Sequence, residues 1–333
     1  MNSFGRLFRV TIFGESHGEC VGITIDGIPA GLPLSADDLL PDLERRKGGK
    51  QKGTTPRQEA DHPIFKSGLF NGKTTGFPLT VLFENNNTRS EDYQKQRSIP
   101  RPGHADWVAH HKFGGNEDYR GGGHFSARLT TGLVAAGAIA KKLMSRLTIA
   151  ATITEVGGEP GTEKGLQRAI DAKDSVGGIV ECRVSGVPVG LGEPYFDSVE
   201  SQLAHILFTI PAVKGVEFGA GFAAAKMFGS QHNDAIENMQ GKTVTNHAGG
   251  IVGGITNGNE LVFRIAIKPT SSTPKEQNSL NWDTEKMEDF SIKGRHDLCV
   301  ALRAPVIVEA VTAIVLADFM LLEQHIPRVV RNF

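Results

Sequence analysis

The sequence predicts an α+β fold, a single domain over residues 1–333 in which antiparallel sheets cover central helices. Three observations carry this expectation. Short runs rich in Val, Ile and Phe alternate with Gly and Thr, as in antiparallel strands. An Ala-rich helix beginning at Ser126 is apolar on more than one face and so belongs in a core. No linker or low-complexity segment divides the chain, and its two strand-rich halves, each with one long helix, hint at internal duplication.

Taken in order, Phe4 to Phe13 reads as a strand that delivers the polar string Gly14, Glu15, Ser16, His17, Gly18, and Val21 to Asp26 resumes it before Gly27 turns the chain. Ser35 caps a helix that has Asp37 and Asp38 in its first turn and runs to Arg46. Strands follow between Ile64 and Leu82, and Asn85 to Pro102 is polar enough for a loop over a site. The Ser126 helix passes Leu133 and Ile139 to Leu143 and ends among Lys141, Lys142 and Arg146, which suit its negative pole. Gly178 to Val187 and Leu261 to Ile267 read as strands flanking a helix from Ser198 to Phe208, and Ala310 to Leu322 as a last apolar helix.

With 36 Lys and Arg against 37 Asp and Glu, the formal charge is −1, so no whole-protein field draws the chain to nucleic acid or an acidic membrane, and any anion site must be local. The start lacks a secretory pattern and no apolar stretch reads as a membrane span, which makes the cytoplasm the expected location. Cys20, Cys182 and Cys299 are too few and too scattered for a disulfide framework or a thiolate metal site. Forty glycines in 333 residues exceed the usual ~7% and fall in clusters, where backbone must come close to something.

Those clusters carry the chemistry. Ser16 and His17 follow a strand, so the sheet can hold them while glycines admit a ligand, and imidazole suits proton transfer near neutral pH. Arg45, Arg46, Lys47, Lys50, Lys52 and Arg57 form a basic loop broken by glycines, fit to grip phosphate, although a solvated face is the commoner fate of a charge run. Arg101, Gly103, His104 and Asp106 supply a cation, an imidazole and a carboxylate able to bias its tautomer. Arg120, the glycines 121–123, His124, Phe125, Ser126 and Arg128 open onto a helix N-terminus, a strong anion geometry. Lys268, Pro269, Thr270, Ser271 and Ser272 end a strand with three hydroxyls, and Gly294, Arg295, His296 and Asp297 gather three charge types. His110 and His111 lack a zinc spacing, so no metal is expected.

Two near-motifs are set aside. Gly68 to Thr74 resembles a nucleotide loop but has Ser67 where the first glycine belongs, and reads as a hairpin turn. Gly219 to Ala224 matches GxGxxA without the βαβ setting that a dinucleotide site needs.

Read together, the strings FRVTIFGESHG, RPGHADW, DYRGGGHFSAR, VPVGLGEP, PAVKGVEFGAGF, NHAGGIVGGITNG, KPTSS and GRHDLC resemble, in order and over nearly the whole chain, the signature segments of the chorismate synthase family. The resemblance implies helices sandwiched between antiparallel sheets, a homotetramer, and a carbon–oxygen lyase of the shikimate pathway to aromatic amino acids. Its reaction is the 1,4-anti elimination of phosphate from 5-enolpyruvylshikimate-3-phosphate, dependent on reduced FMN. Whether NADPH on this chain or an outside source reduces the flavin stays open. By resemblance His17 protonates the departing phosphate, His104 sits at the flavin, and Asp297 with Ser16 relays the ring proton; Arg46, Lys52, Arg101, Arg128 and Arg295 hold substrate. FMN contacts fall on His124, Phe125, Ser126, Pro211, Ala212, Gly253, Lys268, Pro269, Thr270, Ser271, Ser272 and Arg295.

The chain departs from the family pattern in three places. Lys52 stands where Arg is usual and loses a bidentate grip. His124 and Phe125 replace an Arg and a small hydroxyl residue, which predicts altered flavin affinity or pH dependence. Residues 156–174 are shorter than usual, as in a trimmed surface loop. The competing enzyme reading is a nucleotide-dependent phosphotransferase built on Lys73. An RNA-binding module on the basic loop lacks the interleaved aromatics such binding uses.

Overall fold

The computed structural model describes residues 2–49, 51–88, 97–292 and 296–330. The N-terminal half contains β1 (Ser3–Phe4), β2 (Arg9–Gly14), β3 (Cys20–Asp26), α1 (Leu40–Arg46), β4 (Ile64–Ser67), β5 (Leu69–Phe70), β6 (Lys73–Thr74), β7 (Leu79–Glu84), α2 (Asp106–Phe113) and α3 (Thr130–Leu143). The C-terminal half contains β8 (Thr148–Val156), β9 (Glu159–Pro160), α4 (Glu163–Ala172), β10 (Gly178–Ser185), α5 (Val199–Leu207), β11 (Val213–Phe218) and α6 (Gly229–His232). It continues with β12 (Ile251–Val252), β13 (Ile255–Thr256), β14 (Leu261–Ile267), β15 (Gln277–Asn281), β16 (Lys286–Phe290) and α7 (Ala304–Leu322).

Each half builds one five-stranded antiparallel sheet, ordered β1-β2-β3-β7-β4 in the first and β11-β14-β10-β8-β9 in the second. Alternation sets which face is buried: in β10, Val180, Cys182 and Val184 point inward while their neighbours do not. α3 packs on β3 and β7, α7 packs on β8 and β10, and the two helices pack on each other. The expected sandwich is therefore present. The helices meet where a β-carbon on Gly137 would overlap Ala310, so only glycine lets the backbones approach this closely.

α7 begins six residues before the predicted Ala310, because Pro305 falls in its first turn, where a missing N–H costs nothing. Together with the turn before it, this helix is 23 residues long and apolar enough to span a membrane, contrary to the sequence reading that no such stretch exists, but 78% of the apolar window is buried inside the fold. Its two acids are satisfied there. Asp318 accepts the backbone N–H groups of Arg6, Leu7 and Phe8 at 2.6–3.1 Å. Glu309 accepts from Arg45 at 2.7 Å through both oxygens and from Lys141 at 2.9 Å.

Other expectations are corrected in detail. The opening strand breaks into β1 and β2 at Gly5, whose φ is +92°. The segment read as a trimmed loop holds β9 and the helix α4. The near-nucleotide loop is the β5–β6 hairpin, with Asn71 at φ 49° and Gly72 at φ 71° making its turn.

Candidate active site

A cleft of about 500 Å³ opens between the two halves, within the range typical of small-molecule and cofactor sites. His17, Arg46, Arg101, His104, His124, Phe125, Ser126, Arg128, Pro211, Ala212, Lys268, Thr270, Ser271, Ser272 and Asp297 all line it. They come from seven separate stretches of chain. The sheet of the first half presents His17, the N-terminal approach to α3 presents Arg128, and the approach to α7 presents Asp297.

His17 is buried in the loop between β2 and β3. The glycine loop lies over it: a β-carbon on Gly121 would fall 2.5 Å from Cδ2 and 2.6 Å from Nε2 of the imidazole. Ser16 is fully buried and does not line the cleft; its Oγ accepts from Arg57 Nη1 at 3.1 Å and its carbonyl from Nη2 at 3.2 Å. Arg57 is fixed in turn by Glu59 at 2.7 Å.

His104 Nδ1 lies 2.6 Å from Asp106 Oδ1. Burial opposes ionisation of Asp106, but hydrogen bonds from Arg101 and His104 outweigh it and hold the carboxyl far below the usual range. An ionised carboxylate only accepts, so Nδ1 carries the proton and donates, and Nε2 is left on the edge of the ring beside Gly122. Arg101 grips the same carboxylate from Nε at 2.7 Å and Nη2 at 2.8 Å and reaches Ser272 Oγ from Nη1 at 3.3 Å.

The floor is a set of cations held by carboxylates. Arg46 and Arg128 both pair with Asp61, and Arg303 pairs with Asp297 at 3.0 Å. Burial pulls the Arg46 guanidinium down to about 10, against Asp61, which raises it, so it stays charged at neutral pH. Arg46, Lys47, Arg57, Arg101, Arg128, Lys268 and Arg303 line the cleft against Glu59, Asp61 and Asp297, a local excess of positive charge on a nearly neutral chain.

A second group of lining residues suits a flavin phosphate and its polar chain. Lys268 Nζ donates to Ser271 Oγ at 2.7 Å, and Ser271 to the Gly103 carbonyl at 2.7 Å. Burial, then Lys214, lowers the pKa of the Lys268 amine. Thr270 Oγ1 and His124 Nε2 are buried polar atoms without a hydrogen-bond partner among the described residues, as expected of groups that a ligand would satisfy. His124 Nδ1 donates to the Gly14 carbonyl at 2.8 Å, so its other nitrogen offers an acceptor where an arginine would offer donors. Ser126 caps the turn leading into α3, accepting from Arg128 N at 3.3 Å, and Phe125 is half-exposed against Phe113. These residues fit the expected FMN.

Some predicted residues do not reach the cleft wall. Lys52 bonds Gln167 at 3.2 Å instead, Gly253 sits in the turn between β12 and β13, and Pro269 lies between two lining residues without lining it. Arg295 and Lys50 lie outside the described residues. Glu59, Asp61 and Arg303 line the cleft without having been singled out from sequence, since nothing local to them signals a site. Asp297 accepts from Thr55 N at 2.8 Å as well as from Arg303, and Lys73 lies on the β5–β6 hairpin away from the cleft.

Comparisons with known proteins agree with this geometry. The family model described as chorismate synthase matches residues 8–321. The chorismate synthase of Chitinophaga pinensis is 69% identical over 333 residues, covering all of both chains, and that of Dehalococcoides mccartyi is 45% identical over 362 aligned positions, covering 99% of this chain and 100% of its own. A solved structure titled "Crystal Structure of Chorismate Synthase" superposes with a TM-score of 0.72 at 29% identity, over 96% of this chain and 93% of that one. On its cleft, its layered fold and its sequence relatives, the chain belongs to the chorismate synthase family.

Proposed function

We propose that the cleft eliminates phosphate from 5-enolpyruvylshikimate-3-phosphate in the 1,4-anti sense to give chorismate, with His17 and His104 as its acid–base residues. The observation that carries this reading is the convergence of His17, His104, Arg46, Arg101 and Arg128 on one glycine-lined cleft. The substrate brings one phosphate and two carboxylates, about four negative charges, and the local excess of cations answers them. As the allylic C–O bond breaks, its electron pair leaves with the phosphate oxygen, and His17 delivers a proton there. His104, held by Asp106 in one tautomer, would sit at the bound flavin, and Asp297 on the cleft wall would relay the proton lost from the ring, with Ser16, buried out of the cleft, contributing only by fixing Arg57 at that wall.

Lys268, Thr270, Ser271, Ser272, Pro211, Ala212 and the turn 124–126 would hold FMN. Reduced FMN held by these residues would supply electron density to the breaking bond and take it back, with no net redox change. Lys52, Gly253 and Pro269 are left without an assigned contact in this cleft, and Arg295 lies outside the described residues.

We also read the chain as one domain, since one buried cluster joins residues of both sheets, and as a cytoplasmic homotetramer. Tyr195, Phe196, Phe222, Phe228 and Met239, all more than three-quarters exposed, support assembly through the second half. Light scattering should give a mass near four times 35.8 kDa. An anaerobic assay with reduced FMN and 5-enolpyruvylshikimate-3-phosphate should release chorismate and inorganic phosphate in equal amounts. Phosphate without chorismate would reject the elimination.

A further inference from the structure

Asp61 is a carboxylate inside an anion site. Its side chain has no solvent exposure, yet the residue borders the cleft. Its backbone stands at φ 51°, in the left-handed region that Asp enters more readily than most residues with a β-carbon. Each oxygen takes a different arginine: Oδ2 accepts from Arg46 Nη2 at 3.0 Å, and Oδ1 accepts from Arg128 Nη1. Burial works against the charge on Asp61, but Arg46 and then Arg128 more than offset it and hold its pKa below the ordinary value.

The two guanidiniums belong to different elements, Arg46 to the end of α1 and Arg128 to the turn before α3. Arg128 is further fixed by Asn85 Oδ1 at 2.9 Å and the Glu84 carbonyl at 3.1 Å. Arg46 is held loosely elsewhere, reaching Thr130 Oγ1 at 3.4 Å, and its Nε is buried without a partner among the described residues. Two like charges drawn this close repel unless something between them is negative. Net charge alone would argue against a carboxylate here, because it cancels one of the two charges that attract the ligand. A sealed carboxylate that bridges both guanidiniums is instead a device for geometry.

We propose that Asp61 is the positioning residue of the substrate-anion site. It touches no substrate itself; it holds Arg46 and Arg128 side by side so that their remaining N–H groups form one receptor for an anionic group of the substrate. This inference rests on the reading of Arg46 and Arg128 as substrate ligands.

The test is steady-state kinetics of Asp61→Asn, which keeps the shape and removes the charge, with FMN binding followed separately by fluorescence. The expected result is a KM for 5-enolpyruvylshikimate-3-phosphate raised about tenfold or more, a smaller change in kcat, and an unchanged FMN affinity. A purely structural role would lower kcat through the folded fraction and leave KM in place. A KM that is unchanged or lower would therefore overturn the proposal, the lower value being what charge cancellation alone predicts. Should Asp61→Asn not fold, Asp61→Glu keeps the charge and displaces the carboxylate by one methylene; a raised KM in folded protein supports positioning, and a wild-type KM overturns it. Arg46→Met separates the two readings: unchanged KM there removes Arg46 as a substrate ligand, whereas raised KM there with normal KM in the Asp61 variants removes only the role given to Asp61.

Discussion

Gly121 lies against the imidazole of His17, with its backbone at φ +60° and no room for a β-carbon between them. The glycine loop thus sets the orientation of that ring. Gly121→Ala must either displace the imidazole or move the loop, and a misplacement near 1 Å can cost about 10²-fold in rate. A fall in kcat of at least about tenfold is expected. Wild-type kcat in the variant would show that the ring is held by other contacts.

His17→Ala and His104→Ala are each expected to fold normally, by circular dichroism, and to lose roughly 10²–10⁴-fold in turnover, the range for a missing acid–base group. Asp106→Asn should follow His104→Ala in direction with a smaller loss, because it frees the ring to take the wrong tautomer. Normal turnover in either histidine variant would remove its role.

His124→Arg restores donors to a wall that now presents an acceptor. Tighter FMN binding, by roughly three- to tenfold, is expected from a charge-assisted contact. Fluorescence titration of the flavin measures this directly, and weaker binding would mean that the His124 contact to the Gly14 carbonyl matters more than the donor.

Stability should fall on acidification. Asp61, Asp106 and Glu309 all have folded-state pKa values below their ordinary ones, since arginine, histidine or lysine partners outweigh the effect of burial. A lowered carboxyl pKa contributes stability that is complete above the unfolded value of ~4 and is lost as pH drops through the folded value. Urea midpoints should therefore hold near neutral pH and decline below about pH 4. Glu309→Gln should cost roughly 1–3 kcal/mol at pH 7 and flatten that decline, since Arg45 and Lys141 lose the negative charge they share and one of its two acceptor oxygens.

Gly137→Val should destabilise by about 1–3 kcal/mol or more, because added bulk forces α3 away from α7. Thermal melting reads the loss, and an unchanged midpoint would show that the helices can separate at little cost.

What the sequence disclosed depended on how local each signal was. Asn71–Gly72 between two short strands and Ser126 ahead of an Ala-rich helix are complete within a few residues, and both were legible. α2 was missed because Trp107, His110 and His111 leave it no apolar stripe, and α4, although Leu166, Ala169 and Ile170 repeat at helical spacing, because its segment reads against the family pattern as a shortened surface loop. The basic loop and the glycine loop announced an anion site, but Asp61 did not: its importance comes from Arg46 and Arg128, 15 and 67 residues away in sequence.

The meeting of Gly137 with Ala310 reaches further than core packing. α3 carries Arg128 at its leading end and α7 carries Arg303 and Asp297 at its own, so each half of the chain brings only part of the reaction machinery. Either half expressed alone should be catalytically silent, and mixing the two fragments should restore turnover only to the extent that the helices re-dock.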